Sequence, residues 1–198
     1  MRTATSETIL LEALLPRATL LQNVLLVAAG SLLVALCAQL ALPLPFSPVP
    51  VTGQTFAVLL LGATFGARRA ALALLLYLGE GAAGLPVFAP LGAPGVARLA
   101  GPTAGYLLAY PVAAFVLGKL LETAARRRVF YWLGAMVVAE TLILASGAVW
   151  LKWVTGVSWE QALLLGVVPF LPGELIKVAL VGVCLPASWW ALERRRQS

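Results

Sequence analysis

Long apolar runs, separated by short clusters of proline, glycine or arginine, dominate the pattern of this chain. A helix needs about 20 mostly apolar residues to cross the hydrocarbon core of a bilayer. The runs predict six such spans, at about 18–42, 52–65, 70–83, 104–121, 129–150 and 172–192. The second and third are short, which predicts tilt, re-entry or shelter among neighbouring helices. The first exceeds the roughly 7–15-residue apolar core of a signal peptide and is expected to be retained. Residues 6–15 read as a short amphipathic stretch closed by Pro16 and Arg17, suited to the membrane surface or to a frayed terminus. Residues 43–50 carry four prolines, which deny helix and predict a rigid extended connector. Residues 84–103 are rich in Gly and Pro around Arg98, and long irregular segments of this kind tend to be binding loops. A further apolar piece, 161–169, precedes the last span.

Composition agrees with this reading. The chain is 61% hydrophobic and 11% charged, with a mean hydropathy of +0.95; a soluble domain carries about 25% charged residues. The fold expected is an all-α integral membrane protein, a six-helix bundle forming one domain over residues 1–198, with 1–17 as its N-terminal segment. The net charge of +6 does not point to nucleic acid, because the basic residues cluster at the ends of apolar runs. With both termini inside, eleven of the fourteen basic residues fall on the cytoplasmic side: Arg2, Arg17, Arg68, Arg69, Lys119, Arg126, Arg127, Arg128, Arg194, Arg195 and Arg196. Arg98 and Lys152 remain outside and Lys177 lies in the membrane. That asymmetry is what the positive-inside rule requires.

The chain has no histidine, which excludes His-based catalysis, and Cys37 and Cys184 stand apart in apolar runs, with no zinc cluster and an expectation of plain packing. Glu174 and Lys177 are three residues apart at the start of the last span and share one helix face. Charges inside a membrane are costly and usually face a protein interior or a cavity. The pair fits a polar ligand site near the outer surface, on the side that holds Arg98 and the Gly/Pro loop. It also fits a plainer account, in which Glu174 caps the first turn of its helix and Lys177 snorkels outward or pairs with it. Glu140 stands in mid-span without an obvious partner in sequence, as a proton-coupling group or a protonated carboxyl bonded to a neighbouring helix.

Several motifs occur in order: Pro48-Val-Pro-Val-Thr-Gly-Gln-Thr-Phe56, Leu61-Gly-Ala-Thr-Phe-Gly-Ala-Arg-Arg-Ala-Ala-Leu-Ala73, Gly84-Leu-Pro-Val-Phe-Ala89, Gly101-Pro-Thr-Ala-Gly-Tyr106 with Tyr110-Pro111, and Pro169-Phe-Leu-Pro-Gly-Glu-Leu-Ile-Lys177. Together they resemble the BioY family, the biotin-specific substrate-binding subunits of energy-coupling factor transporters, over nearly the whole chain. The resemblance implies a six-helix membrane bundle holding biotin near its outer face, with Glu174 and Lys177 in the pocket. Two departures accompany it: Glu174 stands where the family usually has Asp, and Ala104 where it has Gly.

On that resemblance, Glu174 is expected to accept from the ureido N–H groups of biotin and Lys177 to donate to its carbonyl. Arg98 is placed by position against the valerate carboxylate. Gln54, Phe88, Thr103 and Tyr106 complete the wall, with Phe88 and Tyr106 packing on the rings. No cofactor or metal is expected, only biotin as transported ligand. None of Lys119, Lys152 and Lys177 is followed by Ser or Thr, so no phosphate-binding loop is present. The resemblance therefore implies a separate membrane coupling subunit and two ATPase subunits in a prokaryotic cell membrane. Small residues of the first helix, Ser31, Ala35 and Ala41, are expected to meet that coupling subunit. Two other readings stay open: the same architecture tuned to another vitamin, favoured by Glu174, and an intramembrane enzyme using Glu174 or Glu140, for which no positioned nucleophile and base are found.

Overall fold

The computed structural model of the chain describes residues 10–11, 18–123 and 129–197. Apart from Leu10 and Leu11, the expected amphipathic segment lies outside the described residues, as does the Arg126 to Arg128 cluster.

The element order is α1 (Leu20–Gln39), β1 (Ala41–Leu44), β2 (Ser47–Thr52), α2 (Gln54–Phe65), α3 (Ala67–Ala82), a 3-10 turn (Gly95–Ala100), α4 (Ala104–Thr123), α5 (Val129–Thr155), α6 (Trp159–Gly166) and α7 (Leu171–Gln197). Each of the six expected spans coincides with a helix. Three of these, α1, α4 and α5, are long and apolar enough to cross a membrane, and α6 with α7 forms a fourth if that pair, bent by 48°, is one span. Large apolar side chains stand exposed around the bundle, among them Leu25, Leu32 and Leu36 of α1, Val112 of α4, Val149 of α5 and Leu175 of α7. Such a coat is stable only against lipid or another protein.

Helix α2 is the centre of the bundle, in contact with α1, α3, α4, α5 and α7. At about 1.5 Å per residue its 12 residues reach only about 18 Å. Its shelter makes that shortness tolerable, since Ala57, Val58, Leu59, Leu61, Gly62 and Ala63 are buried against neighbouring helices. Gly66, at φ 80°, makes the corner into α3, a conformation open to glycine because it lacks a Cβ. Thr19 and Gln22 start α1 with a reciprocal capping box, and Ser158 and Gln161 do the same for α6.

The chain is not wholly helical. The expected extended connector, 43–50, and its flanks pair as an antiparallel ribbon, with Ala41 opposite Thr52, Leu42 opposite Val51 and Leu44 opposite Ser47; Ala41, Leu42 and Thr52, expected in the first and second helical spans, are strand residues instead. A two-stranded ribbon consists of edges, where proline's missing N–H costs least. The Ser47 hydroxyl donates to the Leu165 carbonyl at 2.7 Å, fastening the ribbon to α6.

The small residues of α1 also differ from expectation. Ser31 is fully buried and its hydroxyl donates to the Glu80 carboxylate of α3; Ala35 belongs to the core, and Ala41 lies in β1 rather than on a helix. A Cβ added at Gly30 would stand 2.9 Å from that of Ala73. The small-residue stripe therefore brings α1 close to α3 of the same chain, and the face of α1 that remains exposed is leucine-rich.

Candidate functional site

The ribbon, the 84–103 loop and the break between α6 and α7 meet around one cavity, lined mainly by apolar surface. Gln54, Phe88, Arg98, Thr103, Tyr106 and Glu174, separated by up to 120 positions in sequence, all line it. Thr52, Thr55, Tyr110, Ile143, Leu144 and Phe170 complete much of the wall and escaped the sequence reading. Thr55 and Tyr110 belong to the quoted motif runs, but only the fold shows that they face inward.

Glu174 reaches the cavity because Pro169 and Pro172 flank the break that starts α7. Its backbone N–H is already bonded to Phe170 O at 2.9 Å. The carboxylate does not cap the helix. Its Oε2 accepts from the Thr55 hydroxyl at 2.7 Å and its Oε1 from the Lys177 ammonium at 2.8 Å. Lys177 also donates to Thr52 O at 2.8 Å and Thr55 Oγ1 at 2.7 Å. An ammonium has three donors, and all three are used. Lys177 is absent from the cavity wall, so in this arrangement it holds Glu174 and the start of α2 in place behind the wall. A ligand contact from Lys177 requires exchange of one of these bonds.

The opposite chemical character comes from the loop. Arg98 is 7% exposed, and its Nη2 donates to Ala89 O at 2.5 Å. Its Nε and the Thr103 hydroxyl are both buried without a hydrogen-bond partner among the described residues. Buried polar groups are rarely left this way, and each such exception calls for an explanation such as an ion or ligand. Burial pushes the Arg98 guanidinium below its ordinary pKa, yet arginine stays charged at any physiological pH.

The remaining side chains are fixed by packing. Tyr77 is fully buried on α3; it accepts from Gln54 Nε2 at 2.6 Å and meets Phe88 edge to face at 5.4 Å. Gly81 makes room for Phe88, since a Cβ there would lie 2.2 Å from the ring. Tyr106 lies over Gly147, donates to Gly166 O at 2.6 Å and packs 6.1 Å from Phe170. Trp150 Nε1 donates to Gly101 O at 2.9 Å, tying the end of the loop to α5. A mostly apolar cavity with a carboxylate on one helix and a guanidinium on a loop suits a small amphiphile that bears hydrogen-bond donors and an acid group.

Comparison with known proteins then places the chain. The model of the BioY family matches residues 6–194. The chain is 39% identical over 168 residues to the "Biotin transporter BioY2" of Lactococcus lactis subsp. cremoris, covering 83% of this chain and 88% of that protein. It is 38% identical over 173 residues to the "Biotin transporter BioY" of Rhodobacter capsulatus (82% and 90%), and 35% identical over 161 residues to that of Rhizobium etli (78% and 85%). A solved structure, the S-component for biotin from an ECF-type ABC transporter, superposes with a TM-score of 0.75 at 24% identity, over 90% of this chain and 92% of that one. At that identity the superposition speaks for the fold.

Proposed function

The chain belongs to the BioY family, and on that premise we propose that it takes up biotin as the substrate-binding subunit of an energy-coupling factor type transporter. Relatives named as biotin transporters support the substrate. The observation in this chain that carries the reading is the pair of orphaned donors, Arg98 Nε and Thr103 Oγ1, in the same cavity wall as the Glu174 carboxylate. Biotin bears an acid at one end and two N–H donors at the other. The valerate carboxylate would accept from Arg98 and Thr103, and a ureido N–H would donate to Glu174. Phe88, Tyr106 and Phe170 would cover the rings between them.

The topology proposed is a single membrane domain of six crossings with both termini cytoplasmic, in a prokaryotic cell membrane. The arginine clusters support that orientation, and α5 and α6 carry Trp150, Trp153, Lys152 and Trp159 as an interfacial group at the outer end, with Lys152 Nζ 5.2 Å from the Trp159 ring centre. ATP hydrolysis would come from two partner ATPases through a membrane coupling subunit, which would meet the exposed leucine face of α1.

A biotin titration of the detergent-purified protein by calorimetry tests the assignment. The expected result is tight one-to-one binding, equal in Arg68→Ala, whose side chain is remote from the cavity. Folded protein that gives no biotin heat but binds another vitamin in competition would overturn it.

Arg98→Met is expected to weaken biotin binding by roughly 10- to 100-fold, the worth of a charge-assisted hydrogen bond. Biotin amide, lacking the anion, should bind wild type more weakly than biotin does and should bind Arg98→Met about as well as biotin does. Persistence of the full acid-over-amide preference in Arg98→Met would place the carboxylate elsewhere.

A further inference from the structure

Glu140 takes no part in the site described so far. It stands on α5 with 5% of its surface exposed, and neither carboxyl oxygen has a hydrogen-bond partner among the described residues. Ile143 and Leu144 of the same helix line the cavity, so Glu140 lies on the same face of α5 about one turn further along the helix. The ionisable groups that act on it are Glu174 and Lys177 of α7 and Tyr110 of α4. Helix α2 carries no ionisable residue, and Glu160 of α6 is exposed.

Helices α5 and α7 pack together, and after burial itself Glu174 is the group that acts most strongly on Glu140, as a like charge and as a hydrogen-bonding neighbour. Two ionised carboxylates are both acceptors and form no bond. They would also leave two anions facing one cation, Lys177, whose donors are already used by Glu174, Thr55 and Thr52 O. A single proton on Glu140 removes both conflicts. It supplies the missing donor and leaves one carboxylate opposite one ammonium. Glu174 has capacity for it, since each of its oxygens takes one donor, from Thr55 and from Lys177, and has a second lone pair free.

We propose that Glu140 is a neutral carboxylic acid that donates its proton to Glu174, and that this third bond fixes the Glu174 carboxylate in the orientation it presents to the cavity. Glu140 is then a positioning residue, acting on biotin through Glu174. The functional half of this inference rests on the biotin reading; the proton on Glu140 does not.

Infrared spectra of wild type and Glu140→Gln, with biotin calorimetry of wild type, Glu140→Gln and Glu140→Leu, separate the two halves. The expected result is a carbonyl stretch of a neutral carboxylic acid in wild type that Glu140→Gln lacks. Glu140→Gln keeps an N–H donor and should hold biotin affinity within about threefold of wild type. Glu140→Leu should lose at least about tenfold. The inference is overturned if no neutral-acid band is lost in Glu140→Gln, if Glu140→Gln binds as poorly as Glu140→Leu, or if Glu140→Leu binds like wild type. Should wild type bind no biotin while the acid band is present and lost in Glu140→Gln, the biotin reading fails and the proton on Glu140 stands. If Glu140→Leu does not fold, the band and the affinity of Glu140→Gln still decide.

Discussion

Lys177→Met is expected to cripple biotin binding while the chain stays folded. The Met side chain nearly matches the lysine stem in length but cannot supply the three hydrogen bonds to Thr52 O, Thr55 Oγ1 and Glu174 Oε1. Glu174, with a side chain 7% exposed, is left with no cation beside it. Removing one partner of a buried ion pair costs roughly 3–5 kcal/mol, mostly from the uncompensated charge that remains. The cavity then has two ways to respond, and both damage the site. Either Glu174 takes up a proton and offers biotin a weaker, neutral acceptor, or it turns away to find other donors. Thr52 O and Thr55 lose their shared anchor to α7 at the same time, which loosens the start of α2. A loss of at least about 100-fold in calorimetry is expected. Retained elution behaviour and cooperative melting of the variant would exclude misfolding as the cause. Wild-type affinity in a folded Lys177→Met would show that the Glu174–Lys177 pair is structural and that the ligand lies elsewhere.

The helices were legible in sequence because lipid replaces water as their solvent. Apolar run length then marks a helix directly, without need of amphipathic periodicity. The proline-rich centre of the ribbon, 43–50, was legible only as extended chain, since its prolines rule out helix but say nothing of what each strand pairs with, while Ala41, Leu42 and Thr52 were hidden in the apolar runs on either side. The inward turn of Ser31 and Ala35 was hidden for a related reason: spacing by four places small residues on one face, but whether that face meets a partner or the chain's own α3 depends on packing.

The cavity divides in the same manner. Glu174, Lys177 and Arg98 drew notice because charge is rare in an apolar chain, and Gln54, Phe88, Thr103 and Tyr106 because they fall in ordered motifs. Their gathering around one space is a matter of fold. Thr55 escaped notice because a hydroxyl in an apolar helix is common, and its role becomes visible only when α7 brings Glu174 and Lys177 against it. Glu140 was conspicuous as a residue, yet its relation to Glu174 spans two helices that sequence does not align.

Gly118→Val is expected to destabilise the bundle strongly without touching the cavity. A Cβ at this position of α4 would stand 2.3 Å from Ala67 N, 2.6 Å from Ala67 Cα and 2.7 Å from Gly66 C. All three obstacles are backbone atoms at the corner between α2 and α3, so no side-chain rotation relieves the contact. Relief requires α4 to move away from that corner. Such a move breaks the bond in which Ala67 N–H donates to Glu122 Oε1 at 2.8 Å. Overpacking costs roughly 1–3 kcal/mol where side chains can yield, and a rigid obstacle belongs at the upper end or beyond. For a chain of this size that corresponds to a fall in melting temperature on the order of 10 °C. Gly134→Ala on α5 is the matched control, because an added Cβ there meets nothing within 4 Å, and replacing a mid-helix glycine by alanine favours the helix by up to about 1 kcal/mol. Thermal unfolding in detergent, followed by tryptophan fluorescence, should place Gly118→Val well below wild type and Gly134→Ala at or slightly above it. Near-equal melting of Gly118→Val and wild type would mean that α4 does not approach the Gly66 corner as closely as described. The central position of α2, which depends on that approach on one side and on α7 on the other, would then need redrawing.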